Sequence, residues 1–187
     1  EHCADPRVRV IAHDSNRGVG AAVVTGYRAA LADGADVLVK IDGDGQMDPS
    51  ELPELIAPIL NGDADYTKGN RFHNLGHITR MPLARIVGNA ALSFITKFSS
   101  GYWDIFDPTN GYTAIHAAMA ERLPLDRLAT GYFFESDMLH HLGLARAVVR
   151  DVPLDARYGD EHSGVRLGRA ISQFGARHVK RTARRLF

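Results

Sequence analysis

Acidic residues cluster directly after a short apolar run, where a buried strand is expected to end. The run Val-Leu-Val-Lys-Ile covers residues 37–41, and Asp42, Asp44 and Asp48 fall within the next seven residues. Because alternate residues of a strand point to the same side, Asp42 and Asp44 can converge on one cation. Gln46 adds a neutral oxygen, and hard divalent ions such as Mg²⁺ take oxygen ligands. The spacing therefore indicates a candidate metal site at the end of a strand.

Other interpretations of this stretch have to be weighed. Asp, Gly and Pro are common turn residues, so the segment can be an ordinary turn without a ligand. A calcium loop of the EF-hand type, counted from Asp42, requires Gly at its sixth position and Glu at its twelfth, where this chain has Met47 and Pro53. That interpretation is rejected. Lys40 interrupts the apolar run, and it is expected either to face solvent on an edge strand or to reach phosphates.

A glycine-bearing turn, Asn16-Arg17-Gly18-Val19-Gly20, precedes the first expected helix. Glycines let backbone amides approach a phosphate or a sugar, and a helix N-terminus adds partial positive charge. A turn of this kind is more often purely structural, and no Gly-Lys-Ser/Thr follows that would make it a P-loop. The turn is a weak signal when taken alone.

Strand and helix patterns alternate in the first half of the chain. Residues 7–13 alternate like a strand, residues 21–32 form a helix, and residues 36–42 form the next strand. A second helix begins with Ser50 as its N-cap, and residues 64–72 form a short strand after it. Strands joined by helices through short connections predict parallel pairing, with ligands at the carboxyl ends of the strands.

The second half is richer in helix. Apolar residues between positions 83 and 98 form a broad amphipathic stripe. The segments DPTNGYTAI, GYFFESDMLHHLG and ARAVVRDVPL then predict a loop into a strand, a loop into a helix, and a final strand. The fold class is therefore α/β, with a mostly parallel sheet flanked by helices. His140 and His141 are adjacent on the predicted helix and point apart, so they are not expected to be metal ligands.

Composition excludes several classes of protein. With 187 residues, 45% hydrophobic and 24% charged, the chain fits about one globular domain, and no apolar run is long enough to span a membrane. The single cysteine, Cys3, excludes an internal disulfide framework. Net charge is zero, but residues 164–187 carry seven Lys/Arg and no acid. This basic, partly amphipathic tail predicts contact with an anionic membrane surface, whereas no nucleic-acid-binding motif accompanies it.

Five motifs together resemble the family 2 glycosyltransferases of GT-A (Rossmann-like) fold, in the dolichyl/polyprenyl-phosphate mannosyltransferase-like branch. The motifs are NRGVGAAVVTGY, VKIDGDGQMDPSELPELI, YTKGNRF, DPTNGYTAI and GYFFESDML, and the similarity runs over roughly residues 8–165. The resemblance implies that Asp42, Asp44 and Gln46 hold Mg²⁺ or Mn²⁺ against the diphosphate of a nucleotide sugar. It also implies that the turn containing Asn16, Gly18 and Gly20 contacts this donor, together with the two acids.

The resemblance also implies an acceptor. Arg71 and Arg85 match arginines that the branch is thought to use on a polyprenyl phosphate, and Arg80 is a less certain third. A lipid monophosphate arrives largely as a dianion, so it needs cations to hold it rather than a base. Glu135 and Asp137 lie where other branches carry a catalytic base, which a sugar-hydroxyl acceptor would require. Both acceptors stay open at this point.

The chain also departs from the family pattern. The Pro-x-Tyr/Phe-Asn-Glu and Asp-Asp-Gly-Ser motifs, which bind the base and ribose, are not found, so we expect a domain at residues 1–163 that lacks N-terminal strands, followed by the tail at 164–187. The predicted function is inverting, metal-assisted transfer of a hexose such as mannose to dolichyl or undecaprenyl phosphate at the cytoplasmic face of a membrane. The alternatives are a transferase with a sugar-hydroxyl acceptor and a non-catalytic membrane-attached scaffold.

Overall fold

The computed structural model of the chain describes residues 5–70, 93–131 and 133–154. Within them, four strands form one sheet, and helices cover both of its faces. The strands are β1 (Val37–Lys40), β2 (Tyr66–Asn70), β3 (Thr113–His116) and β4 (Val149–Pro153). The helices are α1 (Val19–Ala32), α2 (Leu52–Leu60), α3 (Ala117–Arg122) and α4 (Phe134–Leu144), with short 3₁₀ turns at Pro49–Glu51 and Leu125–Arg127 and a helical segment at 93–100.

The sheet is mixed, in the order β1-β3-β2-β4. The strand β3 runs antiparallel to both of its neighbours, while β2 and β4 pair in parallel. The sequence therefore predicts the common direction of β1, β2 and β4 correctly. The predicted parallel pairing of β1 with β2 is wrong, because β3 returns from a distant part of the chain and lies between them.

Two apolar clusters fix the layers. On one face, Leu38, Tyr66 and Ile115 pack against residues of α1, α3 and α4. On the other face, Ala114 and Val152 pack with Leu55 and Ile59 of α2. Three further buried residues belong to this cluster, Ala64, Tyr112 and Leu154, and the partly buried Val37 packs against it. Every residue of β2 is buried because this strand has neighbours on both edges and helices on both faces.

The predicted strand at residues 7–13 is not formed. Residues 8–13 have no regular secondary structure, and Val8, Val10 and Ile11 are exposed. A strand requires a neighbour that completes its backbone hydrogen bonds, and no strand among the described residues pairs with this segment. The alternation of apolar and polar residues in this segment is therefore not sufficient to form a strand.

The start of α2 also differs from the prediction. A 3₁₀ turn precedes α2, and its N-cap is Asp48, whose side chain accepts a hydrogen bond of 3.0 Å from the backbone N–H of Ser50. The N-cap of α2 itself is Glu51, not Ser50, and Pro58 is tolerated inside the helix. Asp48 thus caps the turn that leads into α2.

Several predicted features lie outside the described residues: Arg71, Arg80, Arg85, the first part of the helix predicted at 83–98, and the basic tail at 164–187. Across the described ranges, no helix combines the length and the apolar character needed to cross a bilayer.

Candidate active site

The ammonium group of Lys40 lies at the centre of the candidate site. Its Nζ donates to Asp42 Oδ1 at 2.8 Å, contacts Glu135 Oε1 at 3.2 Å, and donates to the backbone oxygen of Gly111 at 3.2 Å. Only 5% of the Lys40 side chain is exposed, against 12% for Glu135 and 36% for Asp42. Because Asp42 Oδ1 and Glu135 Oε1 both contact Lys40 Nζ, the two carboxylates lie close to each other.

Three separate elements bring these groups together. Lys40 ends β1 and Asp42 follows it, Gly111 precedes β3, and Glu135 lies in the first turn of α4. The helix N-terminus carries partial positive charge that favours a carboxylate there. The antiparallel return of β3 beside β1 places Gly111 next to Lys40, with Lys40 and Thr113 directly paired. The site is therefore built by the topology and not by one local motif.

One sequence expectation for Lys40 is wrong: the side chain is buried, so it does not face solvent. Its ammonium group contacts oxygens of Asp42, Glu135 and Gly111. Contact of Lys40 with a phosphate stays a prediction. The sequence did show that a lysine interrupts an apolar run. It did not show the partners of this lysine, because Gly111 and Glu135 lie far from the run in the sequence.

Gly111 is a second functional residue that the sequence reasoning missed. A Cβ atom at this position would overlap the carboxylate of Asp42 and the ammonium of Lys40. A larger residue at position 111 would push the ends of these two side chains aside. It would not strain the backbone, because the φ of Gly111 lies outside the left-handed region. The only sequence signal was the Asn-Gly pair in DPTNGY, which is also an ordinary turn.

The remaining predicted ligands lie in the turn after β1. Asp44 is exposed, and its Oδ1 accepts a 3.0 Å hydrogen bond from the backbone N–H of Gln46. Gly45 has a φ of 76°, a left-handed conformation that glycine adopts without strain. The thioether of Met47 accepts from the backbone N–H of Asp42 at 3.3 Å and fastens the turn to the α2 side of the sheet.

The donor set suits a hard divalent cation. Asp42 is partly exposed, Asp44 is exposed, and Gln46 is partly exposed, so all three oxygen-bearing side chains can be reached from solvent. Among the described residues, no three His, Cys, Asp or Glu side chains are grouped as a complete metal site. Mg²⁺ commonly uses only one or two carboxylates together with substrate phosphates, and the residues here fit that mode.

The two candidate bases have different environments. Glu135 contacts Lys40 and so lies beside Asp42. Asp137 is fully buried, accepts a 2.7 Å hydrogen bond from the backbone N–H of Ala129, and lies 3.4 Å from the ring of His141. The structure therefore joins Glu135 to the cluster around Lys40. A catalytic role for Asp137 remains a prediction.

Two tyrosines, Tyr27 and Tyr66, are buried in the core. Burial raises the pKa of both phenols well above the ordinary value, and the negative charge of Glu135 also raises it. Both phenols are therefore neutral at physiological pH.

The glycine turn before α1 has a packing role. A Cβ at Gly18 would overlap the backbone of Thr130, and one at Gly20 would overlap that of Ala129. Gly20 N–H also donates to Thr130 O at 2.8 Å, and Asn16 caps the turn by accepting from Gly18 N–H at 2.9 Å. The hydrogen bond from Gly20 holds Thr130, which lies in the segment before α4. Asp137 of α4 holds the neighbouring Ala129. Contact with a nucleotide sugar at Asn16, Gly18 and Gly20 remains a prediction.

A cavity of about 560 Å³ lies beside this turn, between residues 9–19 and α1. Asn16 and Gly18 line it, but none of the cluster around Lys40 does. The cavity is therefore separate from the cluster of side chains around Lys40.

A second buried lysine lies on the opposite side of β3. Lys68 of β2 pairs with Thr113 as Lys40 does, and its ammonium donates to the backbone oxygen of Asn110. Asn110 in turn donates to Gly69 O at 2.7 Å. The two lysines therefore hold consecutive carbonyls of the loop before β3. This loop includes Asp107, which is fully buried.

Comparison with known proteins gives a consistent result. The sequence model of the family described as glycosyl transferase family 2 matches residues 1–123. A UDP-N-acetylglucosamine–dolichyl-phosphate N-acetylglucosaminyltransferase of Methanococcus voltae is 34% identical over 152 residues, 81% of this chain and 60% of that protein. The undecaprenyl-phosphate mannosyltransferase of Micrococcus luteus is 31% identical over 151 residues, 80% of this chain and 61% of that protein. The chain thus spans about three fifths of the length of these relatives.

Among solved structures, the chain resembles glucosyl-3-phosphoglycerate synthase from Mycobacterium tuberculosis, crystallised with Mn²⁺, UDP-glucose and phosphoglyceric acid. The TM-score is 0.62 at 23% identity, over 95% of this chain and 57% of that one. At this level of identity the likeness concerns the fold, and it confirms the predicted α/β architecture.

Proposed function

The chain belongs to glycosyl transferase family 2, and from this premise we propose that it transfers a hexose from a nucleotide diphosphate sugar to a polyprenyl phosphate, with inversion at the anomeric carbon. The observation that carries the proposal is the convergence of Asp42 and Glu135 on Lys40 at the carboxyl end of β1. In α/β sheets this is the edge where ligands bind. The names of the relatives from Methanococcus voltae and Micrococcus luteus support the lipid phosphate as acceptor.

In this proposal the turn after β1 faces the diphosphate. Asp42, Asp44 and Gln46 would hold Mg²⁺ or Mn²⁺, which when bound offsets the negative charge that develops on the departing diphosphate. The exposed position of Asp44 and the partial exposure of Asp42 leave their carboxylates open on the solvent side. The turn itself is held by Met47 and by the left-handed Gly45, so the two acids keep their places before any ligand arrives.

Glu135 serves the sugar side of the site. Its carboxylate is fixed by Lys40 and lies close to Asp42, where hydroxyl groups of the transferred sugar can donate hydrogen bonds to it. A polyprenyl phosphate already carries negative charge and needs no base to remove a proton. The acceptor would be held by Arg71 and Arg85, with Arg80 as a further contact, and the basic tail would keep the protein on an anionic membrane surface.

The proximity of Glu135 to Asp42 also favours a second candidate, transfer to a sugar hydroxyl, in which Glu135 would accept the proton. The two functions predict different effects of the same substitutions on transfer. For a phosphate acceptor, Arg71→Ala and Arg85→Ala should raise the KM for the acceptor strongly, while Glu135→Gln reduces the rate only in part. For a hydroxyl acceptor, Glu135→Gln should abolish transfer and the arginine variants should be close to the wild type.

The test uses the complete gene product with labelled GDP-mannose, UDP-glucose or UDP-N-acetylglucosamine, purified undecaprenyl or dolichyl phosphate, and Mg²⁺ or Mn²⁺. We expect label to enter the organic phase with one of these donors and to disappear when the metal is chelated. Label that stays in the aqueous phase with every donor, although metal and nucleotide bind, would count against the lipid acceptor. Absence of metal-dependent nucleotide binding would instead favour a non-catalytic scaffold.

A further inference from the structure

We propose that Lys40 is a positioning residue that couples the metal-side carboxylate of Asp42 to the sugar-side carboxylate of Glu135. This inference rests on the proposed function for the roles of the two acids, and on the structure for their connection. Lys40 touches neither substrate in this scheme. It acts through the two carboxylates that it holds.

The first argument is the set of contacts around the ammonium group. Lys40 Nζ donates hydrogen bonds to Asp42 at 2.8 Å and to the carbonyl of Gly111 at 3.2 Å, and it forms an ion pair with Glu135 at 3.2 Å. The side chain is buried. A buried charge with this geometry strongly fixes its partners, because leaving any one of them unpaired is costly.

The second argument is that one cation is shared between two anions. Lys40 contacts both Asp42 and Glu135, so a change of charge at one carboxylate alters how strongly Lys40 holds the other. A divalent cation held by Asp42 would compete with Lys40 for that carboxylate, and this would favour the contact of Lys40 with Glu135.

The structure supplies a matched control in Lys68. Both lysines are buried, both pair with Thr113 in the sheet, and each donates to a backbone carbonyl of the same loop. Lys40 contacts Glu135, whereas the ammonium of Lys68 donates to the carbonyl of Asn110. Lys68→Met therefore reproduces the loss of a buried lysine without removing the proposed coupling.

The decisive measurement is a double-mutant cycle on transfer by the complete protein. Lys40→Met and Glu135→Gln should each lower kcat by about 10- to 100-fold, because a reacting group displaced by about 1 Å can cost that much. The double variant should be no slower than the slower single variant, since residues that act as a unit are not additive. In the cycle of Lys68→Met with Glu135→Gln, the two losses should multiply. Multiplied losses in the Lys40 cycle would overturn the proposal.

A second measurement uses Mn²⁺ alone, titrated into the protein and followed by the electron paramagnetic resonance of the free ion. Because Lys40 is shared by the two carboxylates, Glu135→Gln should lower the Mn²⁺ affinity of the wild type, since Lys40 then pairs with Asp42 alone and opposes the ion more strongly. The same substitution should leave the affinity unchanged in the Lys40→Met protein. An equal change in both backgrounds would overturn the proposal.

The double-mutant cycle requires transfer, but the Mn²⁺ titration requires neither donor nor acceptor. The titration therefore tests the role of Lys40 even if no lipid-linked sugar is ever formed. If Lys40→Met is unfolded by circular dichroism, Lys40→Gln replaces it in both measurements. Glutamine keeps two N–H donors but no charge, and the same outcomes are expected.

Discussion

Substitution of Gly111 by alanine gives a sharp test of the site, because Gly111 itself bears no functional group. The added Cβ would occupy the space now filled by the carboxylate of Asp42 and the ammonium of Lys40. To restore normal van der Waals separation, these groups would have to retreat by about 1 Å. The backbone is not strained by the change, since the φ of Gly111 is not positive.

Two effects follow from this displacement. Overpacking in a filled region costs about 1–3 kcal/mol of the free energy of unfolding. Misplacement of Asp42 by about 1 Å should slow transfer by about 10²-fold, while acceptor KM changes little because the acceptor is held elsewhere. We therefore expect Gly111→Ala to be folded, moderately destabilised and nearly inactive.

The assay combines transfer of label into the organic phase with denaturant unfolding of the same preparations. Gly26→Ala is the control, because a Cβ at Gly26 meets no atom within 4 Å. This glycine lies within α1, where alanine should stabilise the protein by about 0.5–1 kcal/mol and leave the rate of transfer intact. A Gly111→Ala protein with wild-type rate and stability would refute the crowded arrangement around Lys40 and the reasoning that depends on it.

Three further predictions concern the turn after β1 and Asp151 of β4. Asp44→Asn should lower transfer by about 10²–10³-fold through loss of charge at the diphosphate, as measured by label in the organic phase, and an unchanged rate would remove Asp44 from the mechanism. Gly45→Ala should lower the free energy of unfolding, measured with denaturant, by about 1–2 kcal/mol, because the φ of Gly45 is 76°. Gly43 has open space around it and an ordinary φ, so Gly43→Ala should lower this free energy by less. Equal losses for the two variants would contradict the prediction. Burial raises the pKa of Asp151 from 3.8 to about 6, so the folded state holds the extra proton between these values. The free energy of unfolding should therefore fall as pH rises from about 4 to about 6 and level off above. Asp151→Asn should lose this dependence and exceed the wild type in thermal stability at pH 7 but not near pH 4, and a parallel profile for both proteins would disprove the assignment.

Local patterns were sufficient for the individual elements. Alternation and helical periodicity placed β1, β2, β4, α1 and α4 close to their observed bounds. The acids after β1 and the turn that carries them were also visible, because the end of an apolar run and the preference of Gly and Asp for turns are properties of neighbouring residues. The family resemblance rested on the same short motifs, and comparison with known proteins confirmed it.

Contacts between distant residues had to come from the folded chain. The strand predicted at residues 7–13 had the right alternation but no partner among the described strands, and β3 separated two strands that were expected to pair. The hydrogen bond from Lys40 to Gly111 spans 71 positions, and no local property of either residue encodes it. Burial of Lys40 is stable only because Asp42, Glu135 and a carbonyl surround it together. The preferences that form helices, turns and strands act between residues a few positions apart. The stabilisation of a buried charge depends instead on every group that the fold brings around it.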